Sequence, residues 1–453
     1  MSAQRTIHVV GAGLAGLSCA LRLAEAGERV ALYEATSHAG GRCRSYFDST
    51  LDRWVDNGNH LLLAGNGAAL GYLAAIGARD TLTGPDAPVF PFFDLTTRER
   101  WTLHLNRGRL PWWVLSPRRR VPGARLGEYA ALVRLARAPA TATVGEVLAG
   151  GGPLFRRFLE PLVVAVLNTQ PAQASAALVG RMIGETFGRG GRACVPLIAA
   201  RGLSFSFVDP AVARLESLGV SIGFTQRLRG LEVEGGRVSV LRFAQHAVTL
   251  GPRDLVVLAL PPHGTLSLLP GLRGPTVHSA ILNAHFRLPR PGLWTGRAPF
   301  VGLIGGNAHW VFFREDVASA TTSAADALID RSAEEIAALV WPEIAAVLDL
   351  PAGPTPPFRI IKEKLATIAQ TPEAVALRPG TRTTLGNLLL AGDWTDTGLP
   401  ATIEGAIRSG YKAADTALSM RLGAPRRAPR TAGGIRSGDQ RTLRNNMTDR
   451  APA

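Results

Sequence analysis

The stretch Thr6-Ile-His-Val-Val10, followed directly by Gly11-Ala-Gly-Leu-Ala-Gly16, decides the fold of this chain. Its first part predicts a short buried strand, and apolar residues at helical spacing from Leu14 predict a helix after the glycine loop. A second apolar run, Arg29 to Tyr33, ends at Glu34, which lies eighteen positions beyond the loop. Strand, glycine loop, helix and acidic residue in this order are typical of a dinucleotide-binding βαβ unit.

The residue types of this unit suit a nucleotide chemically. Glycines at positions 11, 13 and 16 let the backbone turn tightly and approach a pyrophosphate, whose charge then lies at the helix N-terminus. Glu34 is placed to accept hydrogen bonds from an adenosine ribose. The alternative is an ordinary βαβ unit with a glycine-rich turn, but the full context favours a dinucleotide site.

The composition is that of a globular protein with about two or three domains. Of 453 residues, 46% are hydrophobic and 19% charged, and the net charge is +15. Only three of the 50 basic residues are lysines, which indicates codon bias as much as a selected surface, so we expect no nucleic-acid partner. Residues 421–453 contain eight arginines and two aspartates without an apolar period, and we predict a disordered Arg-rich tail there.

The cysteines and the hydropathy limit the location of the protein. Cys19, Cys43 and Cys194 are odd in number and scattered, which fits neither a disulfide framework nor a metal site. The first strand leaves no room for a cleaved signal peptide, and no run approaches the ~18 apolar residues of a spanning helix. We expect a cytoplasmic protein, without a metal, that can lie peripherally on the inner face of the cell membrane.

Two further motifs lie outside the first unit. Gly40-Gly41-Arg42 comes at the spacing of a loop that returns beneath a pyrophosphate. Ala391-Gly-Asp-Trp394 precedes Gly398-Leu-Pro-Ala-Thr-Ile-Glu-Gly-Ala406 near the other end of the chain. Together, the three motifs resemble the flavin amine oxidase and phytoene desaturase superfamily. The resemblance covers roughly residues 5–420 and implies that the dinucleotide is FAD.

Within that resemblance, Arg42 can set its guanidinium against the pyrophosphate or the flavin edge, and Asp393 can accept hydrogen bonds from ribitol hydroxyls. Pro400 suits the first turn of a helix whose N-terminus would stabilise reduced flavin. The residues expected to bind the cofactor are Gly11, Gly13, Leu14, Ala15, Gly16, Glu34, Gly40, Gly41, Arg42, Val233, Gly392, Asp393, Pro400, Ala401, Thr402 and Ile403.

The expected fold class is α/β, with a discontinuous Rossmann-like FAD-binding domain and an inserted α+β substrate domain. Strand-like blocks far along the chain are needed to complete the first sheet. The FAD-binding domain is assigned to residues 1–78, 201–265 and 381–420, and the substrate domain to residues 79–200 and 266–380. Local patterns predict a helical stretch over 61–77, and a β-hairpin of 228–234 and 237–243 that turns at Gly235-Gly236.

Four segments narrow the resemblance to the hydroxysqualene dehydroxylases, also called squalene-associated FAD-dependent desaturases, of bacterial hopanoid pathways. They are Asp56–His60, Phe158–Gln170, Phe205–Pro210 and Lys362–Thr367. The implied activity is reduction of hydroxysqualene, a lipophilic C30 isoprenoid alcohol, to squalene by hydride from reduced FAD. The external electron donor is unknown, because the sequence has no second nucleotide fingerprint.

Hydroxide is a poor leaving group, so a positioned acid or a bound water should protonate it. The candidate catalytic residues are His60, Asp56 and Glu185. The alternatives are structural: Asp56 and His60 brace the flavin loop, and Glu185 is a solvated helix residue. Because Cys43 and Cys194 do not lie in the C-terminal attachment context of covalent amine oxidases, we expect non-covalent FAD.

Other functions remain open at this point. The chain could be a carotenoid desaturase of the phytoene type or a flavin amine oxidase, although amine oxidases usually have an aromatic cage and only 6% of the residues are aromatic. A non-catalytic prenyl carrier similar to GDI shares the fold, but the complete set of flavin motifs argues against it.

One basic and aromatic segment suggests contact with lipid. The sequence Asn106-Arg-Gly-Arg-Leu-Pro-Trp-Trp-Val-Leu-Ser-Pro-Arg-Arg-Arg120 combines an apolar centre with flanking arginines. Trp112 and Trp113 would enter the lipid while the arginines meet anionic headgroups. The alternative is a lid or buried loop of the substrate domain.

Overall fold

The strand begun by the N-terminal motif lies near the centre of a parallel sheet. The structure, a computed structural model, describes residues 5–420, so the predicted Arg-rich tail lies outside the described residues. The strands are β1 (Thr6–Val10), β2 (Arg29–Tyr33), β3 (Ser45–Asp48), β4 (Arg53–Asp56), β5 (Leu62–Leu63), β6 (Leu82–Thr83), β7 (Val89–Asp94), β8 (Arg100–His104), β9 (Pro196–Ala199), β10 (Ser221–Gly223), β11 (Leu228–Glu234), β12 (Arg237–Phe243), β13 (Ala247–Thr249), β14 (Leu255–Leu258), β15 (His278–Arg287), β16 (Phe300–Ile304), β17 (Trp310–Arg314), β18 (Val317–Ser323), β19 (Phe358–Ile368) and β20 (Leu388–Leu390). The helices are α1 (Leu14–Glu25), α2 (Gly67–Ala75), α3 (Ala130–Ala136), α4 (Val144–Val147), α5 (Glu160–Leu167), α6 (Ala176–Glu185), α7 (Asp209–Ser217), α8 (Pro262–Leu268), α9 (Ala333–Val347), α10 (Pro372–Ala376) and α11 (Ile403–Ser419).

Five strands form the parallel sheet, in the order β10-β2-β1-β14-β20. Such a sheet is buried on both faces: Val9 of β1 has no exposed surface, and Val10, which points to the other face, is 2% exposed. Helices α1 and α11 pack closely against each other, because a Cβ on Gly410 would lie 2.2 Å from the carbonyl oxygen of Ala15. Two elements almost 400 residues apart in sequence are therefore joined at the centre of this unit.

A second sheet has seven strands in the order β19-β15-β18-β17-β16-β7-β8. Its pairs are antiparallel except for the parallel pair of β16 and β7. One face packs on α9, where Ile336 and Val340 meet Leu282 and Phe286 in a common core. Helices α5 and α6 contribute apolar residues to a large cavity that the opposite face of the sheet also lines.

The two sheets draw on different parts of the chain. All strands of the parallel sheet lie within residues 6–33, 221–258 and 388–390, and all strands of the seven-stranded sheet lie within residues 89–104 and 278–368. The α/β class is thus as expected. Within residues 5–420, every helix is too short or too polar to cross a lipid bilayer.

Some of the secondary-structure elements predicted from the sequence are present, and others differ. The hairpin of β11 and β12 is confirmed, with Gly235 and Gly236 at positive φ in its turn. The helical stretch predicted over 61–77 is partly wrong: residues 62–63 form β5, which pairs with β9, and α2 begins only at Gly67. Pro400 is not in the first turn of α11, because the helix begins at Ile403.

Candidate active site

All three sequence motifs line one cavity of about 1180 Å³. A site for a drug-sized ligand measures about 300–1,000 Å³, so this cavity has room for a large cofactor together with part of a substrate. Its wall includes residues from the parallel sheet, the seven-stranded sheet and the helices α5 and α6.

The glycine loop is held by contacts that a side chain would prevent. Gly11 has a φ of +103°, and a Cβ there would lie 2.5 Å from the carbonyl oxygen of Ala259. A Cβ on Gly16 would lie 1.8 Å from the carbonyl oxygen of Gly11. Gly13 has no neighbour within 4 Å of such a Cβ. Gly16 therefore serves helix packing and does not line the cavity, whereas Gly13 borders the open space.

The second glycine loop lies beside the first. Gly40 forms an isolated parallel bridge with Gly13, and the amide of Gly40 donates to the carbonyl oxygen of Ala12 at 2.8 Å. No side chain caps the N-terminus of α1, so its first amides are available to a ligand. A pyrophosphate would satisfy these amides and meet the positive end of the helix dipole.

Glu34 borders the same end of the cavity. Its carboxylate accepts hydrogen bonds from the amides of Ala12 and Thr36, both at 2.9 Å, which fixes its orientation. The prediction that Val233 binds the cofactor disagrees with the structure. Val233 is 48% exposed in the outer hairpin and does not line the cavity, whereas residues 226–229, just before it, do.

Arg42 and Asp393 meet across the cavity wall. The Arg42 Nη2 atom donates to Asp393 Oδ1 at 2.7 Å, and Nη1 donates to the carbonyl oxygen of Ala366. The charge of Asp393 raises the pKa of Arg42, so the guanidinium remains a cation. Two residues separated by 351 positions thus form one charged pair where the FAD motifs converge.

Two buried residues that the sequence reasoning missed shape the loop before α11. Gln370 has no exposed surface, and its Oε1 accepts from the amide of Ala401 at 2.8 Å. Arg378 donates to four carbonyl oxygens, with atoms of its guanidinium at 2.5, 3.3, 3.0 and 2.7 Å from the oxygens of Asp393, Trp394, Thr395 and Leu399. Pro400, Ala401, Thr402 and Ile403 all line the cavity as a result of this support.

The three predicted catalytic residues have different surroundings. Asp56 is a structural residue, because it accepts hydrogen bonds from Ser45 Oγ, the amide of Leu203 and Arg314 Nη2 at 2.5, 2.9 and 2.8 Å. It is 3% exposed and does not line the cavity. Asp56 therefore has no access to the cavity as an acid, and its three partners are those of a structural residue.

Glu185 and His60 do line the cavity. The two carboxylate oxygens of Glu185 accept from Arg408 at 2.9 and 2.8 Å, and these hydrogen bonds lower the pKa of Glu185. An ionised, paired carboxylate has no proton to donate. Burial lowers the pKa of His60 to about 4, so its imidazole is neutral near pH 7. His60 can form hydrogen bonds but is a weak acid in that state.

The face of the seven-stranded sheet that borders the cavity changes from polar to aromatic across its width. The register places Asn283 of β15 opposite Thr321 of β18, and Thr321 opposite Trp310 of β17. Trp310 pairs in turn with Gly302 of β16, and Gly302 with Phe92 of β7. We call this surface the cavity floor.

The polar part of the floor is a chain of hydrogen bonds. Asn59 Nδ2 donates to Thr321 Oγ1 at 2.9 Å, and the hydroxyl of Thr321 donates to Asn283 Oδ1 at 2.8 Å. Asn283 Nδ2 donates to the carbonyl oxygen of Asn57 at 3.2 Å. The end of the floor near Arg42 can therefore accommodate a polar group.

The aromatic part of the floor depends on one glycine. A Cβ on Gly302 would lie 2.6 Å from the ring of Phe92 and 3.2 Å from that of Trp310. Both rings therefore lie over the backbone of Gly302, which has no side chain. Helices α5 and α6 add apolar side chains on the opposite side of the cavity. The apolar lining comprises Phe90, Phe92, Phe158, Leu162, Val166, Met182, Phe187, Trp310 and Phe312. This part of the cavity suits a hydrocarbon.

Comparison with known proteins agrees with the geometry. The family model for flavin containing amine oxidoreductase matches residues 14–418. The chain is similar to hydroxysqualene dehydroxylase of Rhodopseudomonas palustris, with 47% identity over 92% of this chain and 99% of the relative. It is also similar to hydroxysqualene dehydroxylase of Sinorhizobium fredii, with 45% identity over 92% and 99%.

Solved structures of low sequence identity share the fold. Cyclohexylamine oxidase from Brevibacterium oxydans matches with a TM-score of 0.65 at 16% identity, covering 92% of this chain and 99% of that one. The cofactor of the cavity is a flavin, since the open glycine loops, the uncapped helix and the pair of Arg42 and Asp393 fit such a dinucleotide. The chain belongs to the flavin-containing amine oxidoreductase family, and its full-length similarity within that family is to hydroxysqualene dehydroxylases.

Proposed function

We propose that this protein is an FAD-dependent oxidoreductase that reduces hydroxysqualene to squalene. The similarity to hydroxysqualene dehydroxylases extends over nearly the whole of both chains. The observation in the structure that best supports the proposal is the cavity floor. A long hydrocarbon with one hydroxyl matches a floor that is polar beside Arg42 and aromatic beyond Trp310.

When bound, reduced FAD supplies a hydride to the carbon that loses the hydroxyl. The residues of this chain position the reactants. The glycine loops and Arg42 hold the anionic part of the cofactor, and the loop fixed by Gln370 and Arg378 presents the start of α11. The aromatic part of the floor binds the hydrocarbon and excludes water, which favours one orientation of the hydroxyl.

We further propose that the FAD is held without a covalent bond. Cys43 and Cys194 are the two cysteines that line the cavity, and both are buried. Burial raises the pKa of both thiols, that of Cys194 to about 12. Because the thiolate is the reactive form, neither thiol is suited to attack a flavin.

We also propose that the two sheets belong to two domains with different functions. The parallel sheet, drawn from residues 1–78, 201–265 and 381–420, would form the FAD-binding domain. The seven-stranded sheet and the helices opposite it, within residues 79–200 and 266–380, would form the substrate domain.

The decisive test is a single turnover without oxygen. We expect that protein whose flavin has been reduced with dithionite converts hydroxysqualene to squalene, with one squalene per flavin and return of the oxidised flavin absorbance. Squalene is measured by mass spectrometry. If the flavin stays reduced and no squalene forms, while phytoene or an amine reduces the oxidised flavin, the protein is instead a desaturase or an amine oxidase.

We propose, in addition, that the protein contacts anionic membranes through Leu110, Trp112 and Leu115, which are 63%, 63% and 57% exposed. Exposed arginines at positions 107, 109, 118 and 119 flank them and suit anionic headgroups. Trp113 is not part of this surface: it is 5% exposed and packs on Tyr129. The amide of Gly191 donates to the carbonyl oxygen of Gly108 in this segment, and Phe187, four residues before Gly191, lines the apolar end of the cavity. The segment therefore adjoins that end of the cavity.

Vesicle flotation tests this surface. Replacing both Trp112 and Leu115 with serine should weaken binding to phosphatidylglycerol vesicles by at least about tenfold, since each side chain contributes about 1.5–3 kcal/mol when buried in lipid. Trp54→Ser is the matched control, because Trp54 is 49% exposed elsewhere on the molecule. Equal binding by the wild type and the double variant would argue against the surface.

A further inference from the structure

One carboxylate on the cavity floor has no role in the site described so far. Glu363 of β19 lies opposite Ile281 of β15, which lies opposite Ser323 of β18. Residues that face each other in neighbouring strands share a face, and residues two apart in one strand do too. Glu363 therefore lies on the same face as Asn283, in the adjacent row, and it lines the cavity.

Glu363 is connected to the charged pair at the cofactor end. Asn57 Nδ2 donates to Glu363 Oε2 at 3.3 Å and to the carbonyl oxygen of Arg42 at 3.4 Å. The backbone of Asn57 is itself fixed, since its carbonyl oxygen accepts from Asn283. One amide thus joins Glu363 to Arg42, whose guanidinium pairs with Asp393. This places the carboxyl group where the polar part of the floor meets the flavin motifs.

The other carboxylates of the cavity wall accept hydrogen bonds from arginines or from backbone amides. Asp393 pairs with Arg42, while Glu185 and Glu404 both pair with Arg408. Glu34 accepts from two backbone amides. Among the cavity carboxylates of residues 5–420, Glu363 alone has neither an ion pair nor a backbone donor. Its carboxyl group is therefore the one in this wall that neither a cation nor a backbone amide binds directly.

We propose that Glu363 donates the proton to the departing hydroxyl of the substrate, an inference that rests on the proposed function. The allylic C–O bond breaks as an O–H bond forms with the Glu363 proton, and water leaves. The carbon receives its two electrons as hydride from the reduced flavin, which an external two-electron donor reduces again. Glu363 is only partly buried, so it regains its proton from solvent before the next turnover. Asn57 positions the carboxyl group.

The test compares Glu363→Gln with Glu363→Asp in the full-length flavoprotein, in anaerobic single turnovers over a range of pH. Loss of a general acid lowers a rate by about 100-fold to 10,000-fold, so Glu363→Gln should fall within that range. The wild-type rate should fall as the pH rises, and this dependence should vanish in Glu363→Gln. Glu363→Asp should retain the dependence at an intermediate rate. Glu334→Gln, which removes an exposed carboxylate on α9, should behave as wild type.

Two binding measurements separate proton donation from a structural role. Flavin content, and the change of oxidised flavin absorbance on titration with hydroxysqualene, should match wild type in Glu363→Gln. The proposal is overturned if Glu363→Gln keeps a rate within about tenfold of wild type, keeps the pH dependence, or loses flavin or substrate binding along with the rate. If wild-type protein itself forms no squalene, the proposed function has failed, and this inference fails with it.

Discussion

Gly16→Ala should destabilise the protein even in the absence of flavin. The new Cβ would lie 1.8 Å from the carbonyl oxygen of Gly11, inside the turn that joins β1 to α1. The contact is with backbone, so rotation of a side chain cannot relieve it. Moving α1 away would also separate it from α11, because Ala15 touches Gly410. We expect a loss of about 3 kcal/mol in the free energy of unfolding.

Gly13→Ala is the matched comparison, because it adds the same methyl group at a position without packing contacts. No neighbouring atom lies within 4 Å of the new Cβ. Its φ of −73° suits alanine. The apoprotein should keep its stability within about 0.5 kcal/mol. The methyl group would instead occupy space beside the uncapped end of α1, so flavin affinity should fall.

Denaturant unfolding of the apoproteins and titration with FAD distinguish the two effects. Gly16→Ala should lower the unfolding midpoint and the affinity together, and Gly13→Ala the affinity alone. An apoprotein of Gly16→Ala as stable as wild type would show that the loop can relax around the extra atom. Unchanged FAD affinity in Gly13→Ala would place the pyrophosphate away from this glycine.

Arg378→Met should be the second strongly destabilising substitution. Arg378 is 7% exposed, and its guanidinium donates to four carbonyl oxygens of the loop before α11. The oxygen of Thr395 keeps the amide of Thr397 as a donor at 2.9 Å. Each of the other three oxygens, left buried without a donor, costs about 1 kcal/mol or more, which gives about 3 kcal/mol in total. Because the loop contains Asp393, the variant should also lose flavin.

Arg378→Lys should recover only part of this loss, because one ammonium group cannot reproduce the planar fork of donors. Arg382→Met is the control: Arg382 is exposed four residues further on, and its loss should change stability by less than about 0.5 kcal/mol. Chemical denaturation and the flavin content of the purified variants check both expectations. A stable, flavin-loaded Arg378→Met would mean that water can replace the guanidinium.

Short sequence patterns predict the elements whose structure depends only on residues that are neighbours in the chain. The hairpin at Gly235-Gly236 needs only two short alternating strands and a turn that tolerates positive φ, and it formed as expected. The resemblance to the flavin amine oxidase superfamily also predicted Arg42 and Asp393 in one site, and their side chains form a hydrogen bond although 351 residues separate them.

The sequence does not predict the roles of residues whose contacts come from distant parts of the chain. Asp56 looked like a free acid in its motif, but Arg314, 258 residues away, binds it. Trp113 and Trp112 are indistinguishable in sequence, and only the neighbouring Tyr129 shows which of them is buried. Arg378 lies in none of the motifs, and Glu363 lies in Lys362–Thr367, a segment that carries the family resemblance but indicates no role for any one of its residues. The contacts of both side chains come from carbonyls and amides of other segments.

The order of the parallel sheet has a consequence for synthesis on the ribosome. Strand β20 covers the outer edge of β14, yet it is made more than a hundred residues later. Until residues 388–390 emerge, the fully apolar strand Leu255–Leu258 has an unpaired edge, which is a template for aggregation. Helix α11, which packs on α1, is later still. A nascent chain therefore depends on protection until β20 and α11 are complete, and its cofactor can be enclosed only after that.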